Sequence, residues 1–274
     1  MNSGSPPPLT LEQLCAAFRD LGLSRGDSVL VHSACSSLGP VEGRADTILD
    51  ALLAVLGPGG NLMLPTFNYT RPLPEPHFDP LLTPARTGIL PELGRKRPGA
   101  VRSLHPTHSV AVIGPDAESL TRDHLKVRAF GVGSPIDRIA ERGGKVLLIG
   151  VGHTSNSVVH IAEEYAELPK VSSYDPLPYI KLLLPDGRVI EHLLDTSPSC
   201  SLGFGGVEYA LRRHAEIRDG RLGSGRLQLM AGRDVIRRAV DMMGEKADVL
   251  LCTREGCKPC AGARKRLREQ GRME

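Results

Sequence analysis

Tryptophan is absent from the chain, and five tyrosines and five phenylalanines are its whole aromatic stock in 274 residues. So few rings leave no row of stacking platforms for single-stranded nucleic acid. Most of the core must come from Leu, Val, Ile and Ala. Charge of one sign is also scarce: 34 Lys and Arg against 31 Asp and Glu leave a net charge of +3, too little to argue for a groove that tracks a phosphate backbone. No apolar run approaches the ~18 residues that a membrane-spanning helix needs. The first eight residues are polar and Pro-rich, without the charged and apolar regions of a secretory signal. They read as part of a disordered tail over 1–9, which points to a cytoplasmic protein with reduced thiols. The six cysteines therefore need an account other than disulfides.

What the chain does have is alternating strand and helix patterns. Thr10 and Gln13 form a capping box ahead of Leu11, Leu14, Cys15, Phe18 and Leu21 at helical spacing, which makes Cys15 a core residue. SVLVH (28–32) is a short buried strand, 45–56 an amphipathic helix closed by Gly57, and 61–64 the next strand. Further strands are expected at 109–113, 145–149, 227–230 and 248–252. Helices are expected near 88–97, 117–124, 156–168, 207–214 and 234–243. Pro185-Asp186-Gly187, between apolar runs at 181–184 and 188–192, is a hairpin signal. Prolines 65, 72, 74, 76, 80 and 84 forbid regular structure over 65–86, and a loop that long in a compact domain is functional or disordered. The pattern predicts an α/β fold over residues 10–274, a layered mixed β-sheet flanked by helices.

Four segments can carry chemistry. In VLLIGVGHTSNSVVHIAEE (146–164) a strand ends at Gly150, a polar turn follows and a helix begins. Ligands of open α/β sheets lie at such strand ends. Glu163 and Glu164 stand at i+3 and i+4 from His160, so either carboxylate can orient the imidazole as a general base; a solvated surface pair has the same spacing. In LVHSACSSLG (30–39), His32 ends a strand and Ser33, Ala34, Cys35, Ser36, Ser37, Leu38 and Gly39 form a turn rich in donors for a pantetheine amide or pyrophosphate. Cys35 has no activating motif and reads as a small buried thiol. RSLHPTHS (102–109) is a strand-entry loop, with Ser103, His105 and Ser109 as candidate cofactor contacts. RAFGVGSP (128–135) carries the R-x-x-G-x-G string of the common acetyltransferase loop, but Ser134-Pro135 interrupts it and reads as a helix N-cap and first residue.

Cysteines supply a fifth feature. Cys252, Cys257 and Cys260 make C-x4-C-x2-C, with Cys200 as a fourth donor, a spacing suited to structural zinc; a redox Cys-x-x-Cys pair is the rival. The basic tail over 264–272 reads as a solvated helix face.

Taken in order, LVHSACSSLGPVEG (30–43), GPGGNLMLPTF (57–67), FDP (78–80), RSLHPTHSVAVIGP (102–115), GVGSPIDRIAERGGKVLLIGVGH (131–153) and NSVVHIAEE (156–164) resemble the aminoglycoside 3-N-acetyltransferase family. The resemblance implies transfer from acetyl-CoA to the 3-amino group of a deoxystreptamine ring, on a fold other than the common Gly-rich-loop acetyltransferase fold. It implies a histidine base at His160 with Glu163 as its acidic partner, and CoA contacts from His32 to Gly39. It also implies Thr66 beside the thioester and Asp195 as a further assisting carboxylate. The family's C-terminal Cys-x-x-Cys supports the zinc reading. A polycationic substrate calls for acidic contacts, and Asp79, Glu75, Glu163, Glu164 and Asp175 are the candidates. An acyltransferase acting on another amine, a CoA-binding module without turnover, and a metal hydrolase built on His32, His105 and His160 stay open as alternatives. So do monomer and homodimer.

Overall fold

The computed structural model describes residues 6–68, 77–171, 177–194 and 200–274. The strands are β1 (Ser28–Ser33), β2 (Asn61–Pro65), β3 (Ala100–Arg102), β4 (Val110–Ile113), β5 (Lys145–Ile149), β6 (Tyr179–Leu183), β7 (Val189–Leu193), β8 (Arg218–Leu222) and β9 (Gly225–Ala231). The helices are α1 (Leu11–Leu21), α2 (Ala45–Leu56), α3 (Ile89–Gly94), α4 (Ala117–Thr121), α5 (Pro135–Glu141), α6 (Val158–Tyr165), α7 (Gly206–Arg213), α8 (Gly232–Glu245) and α9 (Lys258–Glu269). Seven strands form one sheet in the order β3-β4-β2-β1-β5-β9-β8, and β6 and β7 pair separately. Only β1 with β2 and β1 with β5 run parallel; the other pairs are antiparallel, so the sheet is mixed as expected.

The period-2 alternation of the central strands divides the core into two layers. Val29, Val31, Leu62, Leu64, Leu147 and Ile149 face Leu14 and Phe18 of α1 and Ile48 and Leu52 of α2. Leu30, Met63, Val110, Val112, Val146 and Leu148 face Ile136 of α5, Val159 and Ile161 of α6, and Val235 and Ala239 of α8. His32 continues the Leu30 side of β1 and is thereby aimed at α6. A third apolar group gathers Leu168, Leu251, Cys252, Cys260, Ala263 and Leu267 around α9.

The capping box at Thr10 and the Ser134 N-cap with Pro135 in the first turn are both present. Leu9, counted with the N-terminal tail, pairs with Val41. The hairpin lies one or two residues from its expected bounds. Its β6 strand is joined to the loop after β2, because Phe78 N–H donates to Lys181 O (3.1 Å) and Leu183 N–H to Phe78 O (2.9 Å). Two short or polar strands, β3 and β8, had no apolar alternation to announce them; in β8 the sequence Arg-Asp-Gly-Arg-Leu reads as a turn.

One expected element is corrected. Residues 248–252 form turns, not a strand. The carbonyls of Leu251 and Cys252 accept from the Arg264 guanidinium at 2.9 Å each, and Arg264 Nε also reaches Asp248 at 2.9 Å. Arg264 thus meets two backbone carbonyls, and the amides of Val249 and Leu251 donate within the turns to Lys246 O and Asp248 O at 3.0 and 2.9 Å, so these groups are satisfied without a β-ladder. The basic tail presents a solvated helix face as expected, exposed at Lys265, Arg266 and Arg268, while Cys260, Ala263 and Leu267 are buried along the other face. Among the described residues no helix is long and apolar enough to cross a membrane.

Gly150 ends β5 with φ of 64°, and a Cβ there would lie 1.6 Å from the Ser37 hydroxyl; Gly143 has φ of 79° but nothing within 4 Å. Gly150→Ala is expected to cost left-handed strain of ~1–2 kcal/mol plus overpacking of ~1–3 kcal/mol, and Gly143→Ala the strain alone. Thermal melts of the two variants check this, and equal losses would remove the close packing from the account.

Candidate active site

β1 and β5 end side by side, with Ser33 opposite Ile149, and Ala34 N–H donates to Ile149 O at 2.8 Å. The Ser-rich turn and the 150–157 loop thus leave the same edge of the sheet. α6 starts there, holds Val158, Val159, Ile161 and Ala162 against the core, and carries His160 and Glu163 one turn apart. His160 is 6% exposed and Glu163 has no exposed surface. Nδ1–H of His160 donates to Oε2 of Glu163 at 2.8 Å, which leaves the lone pair of the neutral ring on Nε2. The ring is stacked on Phe130 (centroids 4.8 Å apart, planes at 29°) and meets Phe204 edge-on (4.7 Å, 68°). Phe130 is backed by Phe67 at 5.6 Å and His108 at 5.1 Å. Three of the five phenylalanines gather here. Their scarcity is the signal that could have found Phe130 and Phe204, neither of which sequence reasoning singled out.

Glu164 turns away from His160. It pairs with Lys170, and with Arg128 at 3.4 Å. Asp79 is also committed locally: its Oδ1 accepts from the amides of Leu81 and Leu82 at 2.7 and 3.0 Å, shaping the turn at 79–83. Glu75, Asp175 and Asp195 lie outside the described residues. The Thr66 hydroxyl is wholly buried and donates to Ser109 O at 2.9 Å, and Arg102 ties Ser109 Oγ and Thr66 O together at 3.0 Å each. Ser103 Oγ bonds His124 Nδ1 at 2.8 Å, and His105 packs on His124 with centroids 4.8 Å apart. Ser103, His105 and Ser109, in the connection between β3 and β4, are thus engaged within the protein, the first two by His124 and the last by Arg102 and Thr66.

At the opposite side of the site, His32 Nε2 lies 3.2 Å from Ser157 Oγ and 3.4 Å from Ser157 N, so His32 props the start of α6. The turn after it is half-buried at Ser33, Ala34, Cys35, Ser37 and Gly39, with Ser36 exposed and Leu38 buried. Among the described residues, the Ser37 hydroxyl and His153 Nε2 are buried without a hydrogen-bond partner. Burial raises the Cys35 thiol above its ordinary value, against a nucleophilic role.

Burial keeps the histidines around the site uncharged. It holds His32 and His108 down at about 3 and His124 and His153 at about 4, and takes His105 well below its ordinary value. Neighbouring imidazoles add to the effect: His153 acts on His32, and His160 and His124 on His108.

The thiols of Cys200, Cys252, Cys257 and Cys260 all lie within 4.8 Å of one another, on the third apolar group beyond α6. These are the three cysteines of the C-x4-C-x2-C run and the fourth donor expected at Cys200.

Residues 30–244 match the family model described as aminoglycoside 3-N-acetyltransferase. The chain is 30% identical over 246 residues to aminoglycoside N(3)-acetyltransferase IV of Salmonella sp., covering 89% of this chain and 91% of that one. It is 33% identical to the type VII enzyme of Streptomyces paromomycinus, covering 88% and 94%. Among solved structures, a histidine-to-alanine variant of aminoglycoside acetyltransferase AAC(3)-IVa in complex with a gentamicin superposes with a TM-score of 0.84 at 29% identity, over 96% of this chain and 99% of that one. A binary complex of AAC-IIIb with CoASH has a TM-score of 0.73 at 29% identity, over 88% and 98%.

The neutral histidines make stability depend on pH. An unfolded histidine binds its proton near pH 6.5, whereas His32, His108, His124 and His153 bind theirs only at about 3 to 4 and His105 lower still. Their contribution is complete above 6.5 and is lost progressively as pH falls from 6.5 toward their lowered values in the folded protein. The melting temperature should hold level above pH 7 and fall from about pH 6.5, before carboxylates titrate. A level profile down to pH 5 would contradict buried neutral imidazoles.

Proposed function

Because the chain belongs to the aminoglycoside 3-N-acetyltransferase family, we propose that it transfers the acetyl group of acetyl-CoA to the 3-amino group of an aminoglycoside, with His160 as general base. The observation that carries this reading is the buried His160–Glu163 pair at 2.8 Å. A protonated amine has no lone pair with which to attack a thioester, so the ammonium first releases one proton to solvent and the neutral amine is the nucleophile. Nε2 of His160 takes a proton from the amine as its nitrogen bonds to the acetyl carbon. The tetrahedral intermediate then expels the CoA sulfur, and the imidazolium returns the proton to it. Glu163 holds the ring in the tautomer that presents Nε2 and stabilises the imidazolium between the two steps.

The turn at 33–39 and the 150–157 loop form the CoA side of this reading. The unpartnered Ser37 hydroxyl and His153 Nε2 are the groups there with hydrogen-bonding capacity to spare. The known complexes of relatives with CoASH and with a gentamicin support both substrate classes. Thr66 is less suited to receive the oxyanion, since its proton is already given to Ser109 O.

The thiol cluster fits a structural zinc: four sulfur donors and no other ligand type, drawn together to within 4.8 Å. Cys200, Cys252, Cys257 and Cys260 would hold it. Bound there, the metal supplies a cross-link between α9, the 248–252 turns and the segment before α7.

A panel of aminoglycosides with acetyl-CoA, followed by mass spectrometry of the products, tests the activity. His160→Ala should lower kcat by about 10²–10⁴-fold with CoA affinity nearly unchanged. Full activity in that variant would exclude His160 as the base. Metal analysis of the purified chain should give one zinc per molecule, lost in Cys257→Ser; a metal-free native chain would leave the cluster as reduced thiols.

A further inference from the structure

Resting on the reading of His160 as the base, we propose that Phe204 is a positioning residue for its imidazole and that the four-thiol cluster anchors Phe204 there. A single hydrogen bond to Glu163 leaves an imidazole free to tilt about its outer torsion. Here two rings remove that freedom, Phe130 against the face and Phe204 against the edge. The two are held differently. Phe130 is packed from behind by Phe67 and His108. Phe204 is carried by the short segment that starts at Cys200.

That segment has little room to move. Cys200 is one of the four clustered thiols, and its sulfur accepts from Leu202 N–H at 3.5 Å. Phe204 N–H donates to Ser201 O at 3.0 Å, closing one tight turn between cluster and ring. Gly203 lies so close to the chain before α9 that a Cβ would meet Leu250 O at 2.2 Å and Cys252 N at 2.9 Å. The ring is fully buried and its carbonyl accepts from Val207 N–H at 3.1 Å, at the start of α7. Three residues thus separate a cluster thiol from the side chain that edges the base. Loosening the cluster swings the Phe204 ring, and with it the direction of Nε2, while the Ser-rich turn on the far side of the sheet edge keeps its form.

A double-mutant cycle on the full chain tests the coupling, using Phe204→Leu, Cys257→Ser and the double variant, with acetyl-CoA and an aminoglycoside that the native chain acetylates. Each variant is first checked for a cooperative thermal melt, and Cys257→Ala replaces Cys257→Ser if the latter does not fold. Each single variant should lose about 10- to 100-fold in kcat, the scale of a misplacement near 1 Å, with KM for acetyl-CoA within about twofold. The double variant should be no slower than the slower single, because both changes release the same ring. Folded variants with native kcat, or losses that multiply in the double variant, would overturn the proposal. A parallel His160→Ala sample separates the two readings: if it retains native kcat, the base assignment fails. If it is inactive while Phe204→Leu and Cys257→Ser are native, only the positioning role fails.

Discussion

Glu163 has no exposed surface, and a carboxylate so placed requires hydrogen-bond donors at close range. Nδ1–H of His160 meets that demand at 2.8 Å, and much of the surrounding structure follows from it. The pair sits on the buried side of α6, so the helix must begin where the chain leaves β5 and lie flat on the sheet. Ser157 and His32 fix that beginning. A further positive charge close by would compete with His160 for the carboxylate. The neighbouring histidines His32, His105, His108, His124 and His153 are kept uncharged by burial and do not compete in this way.

The fold was legible where apolar periodicity is strong. α2 and β5 have the bounds that their patterns predict, because Ala45–Leu56 has helical apolar periodicity and Lys145–Ile149 is a short continuous apolar run, each followed by a glycine. Legibility failed where a side chain from elsewhere in the chain decides the backbone. The apolar run at 248–252 has the composition of a strand, but Arg264 completes its hydrogen bonds and the run coils. β8 failed in the other direction: its polar residues form an edge strand by pairing antiparallel with β9, a partner that no local apolar pattern announces, and Asp219 takes Arg212 and Arg226 on the exposed surface at 2.8 and 3.0 Å.

At the site, helical spacing offered His160 two carboxylates, and the fold separates them. Glu163 is drawn inward by the imidazole, whereas Glu164 is drawn outward by Lys170 and Arg128. No local pattern could distinguish i+3 from i+4 here, since the difference lies in what α6 packs against. The same holds for Ser103 and Ser109, whose place in a conspicuous loop said nothing of the histidine and arginine that engage them.

The chain's poverty in aromatics gives the remaining phenylalanines an uneven distribution with a physical reason. A buried imidazole paired with a carboxylate is best enclosed by a wall that excludes water without competing for its hydrogen bond. Aromatic rings meet both conditions, and their faces also attract a cation. Aliphatic side chains would exclude water but would not favour the imidazolium, and polar ones would offer His160 alternative partners to Glu163. Phe130 and Phe204 accordingly stand against the His160 ring, while Leu, Val and Ile suffice for the two layers of the sheet. Phe130 comes from the loop before α5 and Phe204 from the segment after Cys200, so that this wall is closed on His160 by two segments far apart in the sequence.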